Sequence, residues 1–334
     1  MKLTRRITIL TILIAVFAVI APVVLLLALG YRINFAERRL VATGTLFIKT
    51  EPRDANVYLN DLLSETRTPV TFRLLLPGEY TVRIEKPGYQ PWSKRFTIFP
   101  KRLTVAHDRE PGITLLRSDI SPRQIDATPE ILSLFGPETN DSGFMSNRPD
   151  VLGITRASDG SYFVATKTEI LRFDAASTTQ EIIARHSLTF DSLRAIPAGN
   201  DEYFLLGNHL SRIANGSVDV LSENVMDAAW DNTGKRLFYR TPNELWLYYP
   251  ERGEFELITR TSSEISAAAI APKIGYAFYA VDRIITAIET NTSFSRNTYK
   301  IAEALLPVQK IAIGREEMDL YYLTPEGLIS ASIR

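Results

Sequence analysis

Five aromatic-apolar triplets recur through the second half of this chain, and they constrain its fold more than any other feature. They are Tyr162-Phe163-Val164, Tyr203-Phe204-Leu205, Leu237-Phe238-Tyr239, Ala277-Phe278-Tyr279 and Leu320-Tyr321-Tyr322, spaced 41, 34, 40 and 43 residues apart. Each is preceded by a strand of small residues, as in Leu193-Arg194-Ala195-Ile196 and Ser266-Ala267-Ala268-Ala269-Ile270. Each is followed by a second strand, beginning at Glu169, His209, Glu244, Arg283 and Gly327. A further strand often follows, as in Glu254-Phe255-Glu256-Leu257-Ile258. A unit of about 40 residues with three or four strands is the size of a propeller blade. The expectation for residues 151–334 is therefore a β-propeller-like repeat domain of five or six blades, with small residues at the crowded centre. An open array of sheets is the rival, and it leaves strand edges exposed.

The third unit is the most explicit. Trp230-Asp231-Asn232-Thr233-Gly234-Lys235-Arg236 leads into its triplet, and the run resembles the turn-and-strand motif of TolB-type and WD-like propellers. The chain ends at Arg334, just after the second strand of the fifth unit. A ring closes by borrowing a strand from its other end, so a strand between Ile113 and Phe135 is expected to complete the last blade or to form most of a sixth. Residues 118–150 are otherwise a linker rich in Pro, with Ile131-Leu132-Ser133-Leu134-Phe135 as a candidate strand and Asn140-Asp141-Ser142-Gly143 as a polar loop.

At the other end, residues 7–30 form 24 positions without a charge. A helix of that length reaches about 36 Å, enough for a hydrocarbon core of about 30 Å. No polar face interrupts the run, so a buried core helix fits poorly. Ala28-Leu29-Gly30 offers small residues for signal cleavage, but a signal's apolar core is usually about 7–15 residues long. Residues 1–30 are read as an uncleaved transmembrane anchor. Lys2, Arg5 and Arg6 before the segment favour a cytoplasmic N-terminus with the rest of the chain outside. Arg32, Arg38 and Arg39 after it pull the other way. The localisation expected is the cell membrane, single-pass. Residues 31–43 either extend the helix or make a membrane-proximal stalk.

Residues 44–117 read as a small all-β sandwich. Leu46 and Ile48 share a strand face. So do Val57 and Leu59; Phe72, Leu74 and Leu76; Tyr80, Val82 and Ile84; and Phe96 and Ile98. Period-2 alternation bounded by Pro52-Arg53-Asp54, Asn60-Asp61, Pro77-Gly78 and Pro87-Gly88 marks half-buried antiparallel strands. The order Gly44-Thr45-Leu46, Thr68-Pro69, Leu76-Pro77-Gly78-Glu79-Tyr80-Thr81-Val82 and Lys86-Pro87-Gly88-Tyr89 resembles the PEGA domain. That module is a small β-sandwich frequent in bacterial and archaeal cell-surface proteins. The chain departs at the signature turn, where Pro52-Arg53-Asp54-Ala55 stands, and at Asn60-Asp61 in place of Asp-Gly. Asp54 occupies a position where Gly is usual, and Asp tolerates a left-handed backbone better than most residues. These are turn-forming residues. Tyr89, Pro91 and Trp92 offer either edge packing or an aromatic platform for carbohydrate or peptide.

Chemistry is sparse. The 38 basic and 38 acidic residues cancel, which gives no electrostatic case for nucleic acid. There is no Cys, so no disulfide, thiolate nucleophile or Cys-based metal site. His107, His186 and His209 are scattered, and no zinc, phosphate-loop or nucleophile-elbow motif appears. Glu316-Glu317 and Asp201-Glu202 read as solvated turns rather than acid/base pairs. Asp141, Asp159, Asp231 and Asp282 lack the dense alternation of calcium loops. The sequons at Asn140, Asn215 and Asn291 are a common chance pattern. No catalytic, cofactor-binding or metal residue is expected, and no cofactor. The expected partners are the membrane, through the N-terminal helix, and an envelope protein or cell-wall glycan. The expected role is a non-catalytic interaction platform; an envelope hydrolase or lyase with its site in the propeller funnel is the alternative.

Overall fold

The computed structural model describes residues 3–34, 38–106, 112–135, 150–156, 159–174, 179–198, 201–290 and 295–334. The polar loop at 140–143, His107 and the sequon at Asn291 lie outside them. The chain divides into two compact units, Met1–Leu116 with Ser293–Ser295, and Arg117–Thr292 with Arg296–Arg334.

The first unit begins with one helix, Leu3–Ala28. Its segment Ile7–Ala28 has a mean hydropathy of 3.1 and is unburied throughout, long and apolar enough to cross a membrane. Thr11 Oγ1 donates to the Ile7 carbonyl at 3.0 Å, so its hydroxyl is satisfied within the helix. Gly30 ends the segment at φ +79°, the left-handed conformation that terminates helices. Residues 31–34 and 39–42 do not extend the helix. Tyr31–Asn34 pairs antiparallel with Arg39–Ala42 as a hairpin, because alternating side chains here suit a pleat better than a helical stripe.

The sandwich follows. One sheet orders the strands Leu103–Val105, Gly44–Ile48 and Val70–Leu75; the other orders Leu62–Leu63, Asn56–Leu59, Gly78–Glu85 and Trp92–Ile98. A short parallel pair, Ile113–Thr114 with Thr50–Glu51, adds to it. Their facing side chains make one core: Leu46, Ile48 and Val70 from the first sheet, Val57, Val82, Ile84, Phe96 and Ile98 from the second. Burying each such side chain contributes about 1.5–3 kcal/mol. The run Phe72, Leu74, Leu76 does not stay on one face. Leu74 has φ +56°, and the register slips so that Leu46 meets Phe72 while Gly44 meets Leu75. That is a β-bulge, which re-aims the following side chains. Asp54 has φ +65°, and Asn60 and Asp61 are also left-handed, a conformation that Asp and Asn bear better than most residues.

Among the described residues, the second unit holds five antiparallel four-stranded groups, the first two hydrogen-bonded into one eight-stranded sheet. The first holds Val151–Arg156, Tyr162–Thr166, Glu169–Phe173 and Gln180–Arg185; the second Leu193–Ala198, Asp201–Leu206, His209–Ala214 and Ser217–Ser222. These two are joined at their outer strands by a single bridge, Arg185 with Ser217. The third holds Asp227–Asp231, Arg236–Arg240, Glu244–Tyr249 and Glu254–Arg260; the fourth Ala267–Ala271, Tyr276–Val281, Ile284–Glu289 and Thr298–Glu303. The fifth takes Lys310–Ile313, Asp319–Thr324 and Gly327–Ser332 from the C-terminus and Arg123–Ile125 from ahead of the first sheet. Gln124 pairs with Ile329, and Arg117 N donates to the Ile333 carbonyl at 3.0 Å. The first strand of each sheet lies beside the first strand of the next.

Packing explains the aromatic triplets. Phe204 and Leu206 join a core with the first sheet, whereas Tyr203 and Leu205 join one with Leu237 and Tyr239 of the third. Phe238 belongs to the next core, with Ala277 and Ile288 of the fourth sheet. A second strand buried on both faces needs apolar residues at consecutive positions, which produces a triplet instead of an alternation. Ile131–Phe135 is not a strand. Thr128 caps a helical turn, Pro129–Leu132, by accepting from Ile131 N, and Ser133–Phe135 continues it as 3-10 helix. Pro at the first helical position after a Thr cap is a start signal that outweighs the short apolar run.

Candidate functional site

The first strands of the second to fifth sheets surround a cavity of about 490 Å³. Its walls are mostly small and aliphatic, with Ala195, Ala228, Ala268 and Ala312 beside Ile270 and Ile313, and Leu134 and Phe135 also line it. Small side chains here let neighbouring strands approach, and they leave the space that larger ones would fill.

Three charged groups converge on this cavity. Arg194 precedes Ala195 on the second sheet, and Asp227 and Arg240 face each other across the first hairpin of the third. Arg194 Nη2 donates to Asp227 Oδ1 at 2.5 Å and to the Ala228 carbonyl at 3.0 Å. Asp227 Oδ1 also accepts from Ala228 N at 2.9 Å. Arg240 Nη1 donates to the Ile265 carbonyl at 2.7 Å, while its Nε is buried with no hydrogen-bond partner. Burial lowers the Arg240 pKa, with the Asp227 and Glu264 carboxylates acting against that and Arg194 with it. The group is two cations against one carboxylate, with hydrogen bonds directed mainly at the protein itself. Among the described residues, no His or hydroxyl nucleophile lines the cavity beside it. Reading these first strands as small residues at the crowded centre missed these charges. Their signal lies in position, since Asp227 and Arg240 bracket one hairpin and end up as a cross-strand pair.

A second cleft, about 580 Å³, opens on the third sheet beside the end of the second. The register places Tyr239 opposite Trp246, and Trp246 opposite Leu257, so Phe255 is its diagonal neighbour on the same face. Tyr239 is buried in the core at 3% exposure, so the rings open to the cleft are Trp246, half-buried, and Phe255. Tyr239 and Trp246 are nearly parallel, 8° apart with centroids at 6.4 Å, and Phe255 is exposed. Glu223, Asn224 and Asn243 stand at the rim. Glu244 fixes the indole: its Oε2 accepts from Trp246 Nε1 at 2.8 Å and its Oε1 from Arg260 Nε at 2.6 Å. The indole bond, then Arg260, hold the Glu244 carboxyl below its ordinary pKa.

The propeller-type motif turns out to be a latch between sheets. Asp231 Oδ1 accepts from Thr233 N at 2.9 Å and Gly234 N at 2.8 Å, closing the turn. Its Oδ2 accepts from Arg236 Nε at 2.8 Å in a pair that is 0% and 3% exposed. A Cβ on Gly234 would sit 2.5 Å from that same Oδ2, so the turn needs Gly for room. Arg236 Nη2 reaches across to Thr290 Oγ1 of the fourth sheet at 3.2 Å, and Nη1 donates to the Tyr249 hydroxyl at 2.9 Å. Asp231 is therefore spent on structure.

The remaining candidates disperse. Glu317 is buried rather than solvated: its Oε2 accepts from Ile274 N at 3.0 Å, joining the fifth sheet's turn to the fourth's. Burial raises its pKa, opposed by the Lys273 and Ile274 amides. Glu316 stays exposed beside Lys273. Asp159 accepts from Ser161 and Arg172, and those bonds, Ser161 first, lower its pKa to about 2. His209 Nδ1 is 3.2 Å from the Leu206 carbonyl, within its own hairpin. Trp92 lies in the sandwich core at 2% exposure, stacked near Phe96, which removes the platform reading for Tyr89, Pro91 and Trp92. Among the described residues, no three His, Asp or Glu side chains cluster as a metal site.

Comparison with known proteins agrees with the first unit's fold. The PEGA domain family matches residues 43–108, so the chain carries a PEGA domain after its apolar helix. No curated protein matches the chain. Among solved structures, the extracellular domain of BT4673 from B. thetaiotaomicron, described as a one component system, is similar with a TM-score of 0.42 and 17% identity. That match covers 59% of this chain and 28% of the other. A further structure of the BT4673 extracellular domain, described as a hybrid two component system, matches at TM-score 0.43 and 13% identity, covering 87% and 39%. A nidogen/laminin complex matches at 0.38 and 10%, covering 54% and 74%. The chain thus spans less than two fifths of the bacterial ectodomains.

Proposed function

We propose that this is a membrane-anchored, extracytoplasmic, non-catalytic protein whose five sheets close a propeller and act as an interaction platform in the cell envelope. The PEGA domain is the spacer between anchor and platform. One observation carries the reading: the rings of Trp246 and Phe255 open to a cleft rimmed by Glu223, Asn224 and Asn243, which has the chemistry of a contact surface and none of a reaction centre. Flat rings take the apolar faces of sugars or of a peptide, and amides and carboxylates at the rim read hydroxyls or backbone.

The test is retention of the detergent-solubilised full chain on immobilised cell-wall glycan, with capture of envelope proteins in parallel. Trp246→Ala and Phe255→Ala are each expected to reduce retention by about tenfold or more, as loss of a central aromatic contact does. Unchanged retention in both variants would move the platform elsewhere. A second reading draws on the convergence of Arg194, Asp227 and Arg240 on the central cavity, which is where a hydrolase or lyase on this fold would place its site. It requires turnover of an envelope substrate that Asp227→Asn abolishes.

A further inference from the structure

The first unit carries a surface that its own core does not use. In the hairpin after the helix, Tyr31, Ile33, Leu40 and Ala42 share one face, and Arg32, Asn34, Arg39 and Val41 the other. On that second face Arg32 and Arg39 are exposed and Val41 is half-buried. Ile33 and Leu40, on the opposite face, are 50% and 45% exposed. The edge strand Leu103–Val105 also exposes aliphatic side chains: Leu103 is 62% exposed, Val105 is exposed, and Thr104 between them is half-buried. Phe99 is exposed just before it. Single exposed apolar residues are ordinary; a hairpin face and an edge strand of one domain that both expose aliphatic side chains are not.

Hydrogen bonds tie these elements to the end of the helix. Thr43 N donates to the Gly30 carbonyl and Lys101 N to the Thr43 carbonyl, both at 2.8 Å; Thr45 N donates to the Arg102 carbonyl at 3.0 Å. Gly44 lets that turn in, since a Cβ there would lie 2.4 Å from the Phe99 carbonyl oxygen. Lys101 and Arg102 are exposed beside apolar rings, Lys101 Nζ 4.8 Å from the Tyr31 ring centroid and the Arg102 guanidinium 5.7 Å from that of Phe99, and Arg38 is exposed at the hairpin turn. Basic groups, a Tyr and outward aliphatic residues at a helix exit are the composition of a membrane interface.

We propose that this face of the PEGA domain lies on an anionic phospholipid surface, with Ile33, Leu40, Phe99 and Leu103 in the headgroup region and Arg38, Lys101 and Arg102 on lipid phosphates. The inference rests on reading Leu3–Ala28 as the anchor, because the helix end delivers the face to the bilayer. The charge of the face selects lipid over a neutral protein groove.

The chain has no Cys, so one introduced Cys carries a unique nitroxide label. Val16→Cys, Leu103→Cys and Leu305→Cys are labelled in the full chain, in nanodiscs of phosphatidylcholine with and without phosphatidylglycerol. Relaxation by oxygen reports lipid, and relaxation by a nickel chelate reports water. The label at 16 should favour oxygen, and that at 305, on the exposed Leu305 of the second unit, the chelate. The label at 103 should favour oxygen in anionic discs. Lys101→Glu with Arg102→Glu should lower its lipid-contacting population by more than roughly tenfold, from the worth of each basic residue near such a surface. If the label at 103 matches that at 305 while 16 remains in lipid, the inference falls and the anchor stands. If 16 also matches 305, both fall. If 103 is shielded from both reagents, a protein covers the face and the inference is overturned.

Discussion

At the scale of single residues, the motif most suggestive of function is the one most committed to structure. Arg236 makes four hydrogen-bond contacts, to Asp231, Tyr249 and both the hydroxyl and carbonyl of Thr290. Removing it leaves the Asp231 carboxylate buried without its cation. Breaking one side of a buried pair costs about 3–5 kcal/mol, far more than an exposed pair such as Arg67–Asp54 is worth. Arg236→Met should therefore speed hydrogen exchange of amides in the third and fourth sheets, and Asp231→Asn in the same chain should restore part of the protection. An exchange pattern identical to the unaltered chain would show that the latch contributes nothing. Legibility at this scale was uneven. Asp54 could be read as left-handed from its residue type, because Asp bears positive φ locally. Glu317 could not be read as buried, because its partner is an amide 43 positions away. Trp92 shows the same limit: an aromatic beside Pro and Lys looks like a platform until the fold places it on the core face.

At the scale of elements, period and spacing carried most of the information, since strand repeats depend on local pleat and on turn length. The triplets mark the second strands, and the notable starts at Glu169, His209, Glu244 and Gly327 coincide with third strands. What failed were places where a local signal was outvoted. The bulge at Leu74 broke an alternation that looked continuous, and a Thr-Pro cap turned an apolar run into helix. The cavity charges were hidden because a cross-strand pair is visible only once the hairpin register is known. The strand Arg123–Ile125 is the most consequential element, since it covers the open edge of Gly327–Ser332, where Leu328 and Ala331 are buried. Deleting residues 123–125 exposes that edge. Amides of residues 327–332 should then exchange as readily as unprotected ones, while those of the third sheet stay protected. Retained protection at 327–332 would mean that the fifth sheet is stable with three strands.

At the scale of the whole molecule, one helix sets where everything else works. The chain's mean hydropathy is −0.03, yet Ile7–Ala28 reaches 3.1 and no part of that segment is buried by protein. Side chains such as Phe17 and Val19 are 71% and 69% exposed. Leu, Ile, Phe and Val at the centre of a membrane helix each favour insertion by roughly 0.3–0.6 kcal/mol, so a segment of this length favours the bilayer by several kcal/mol or more. In water the same surface would drive association. The retained anchor and the cleaved signal make opposite predictions for one measurement. A retained anchor keeps Met1–Gly30 in the intact mass of the membrane-extracted chain, and alkaline carbonate washing leaves the protein with the membrane. Removing residues 1–30 from the coding sequence should transfer the chain to the soluble fraction, with its sheets intact by circular dichroism. Cleavage near Gly30 would instead give a mass short by that segment and a protein released by carbonate. The proposed platform would then work free of the surface, and the hairpin proposed to face lipid would lose the helix that brings it there.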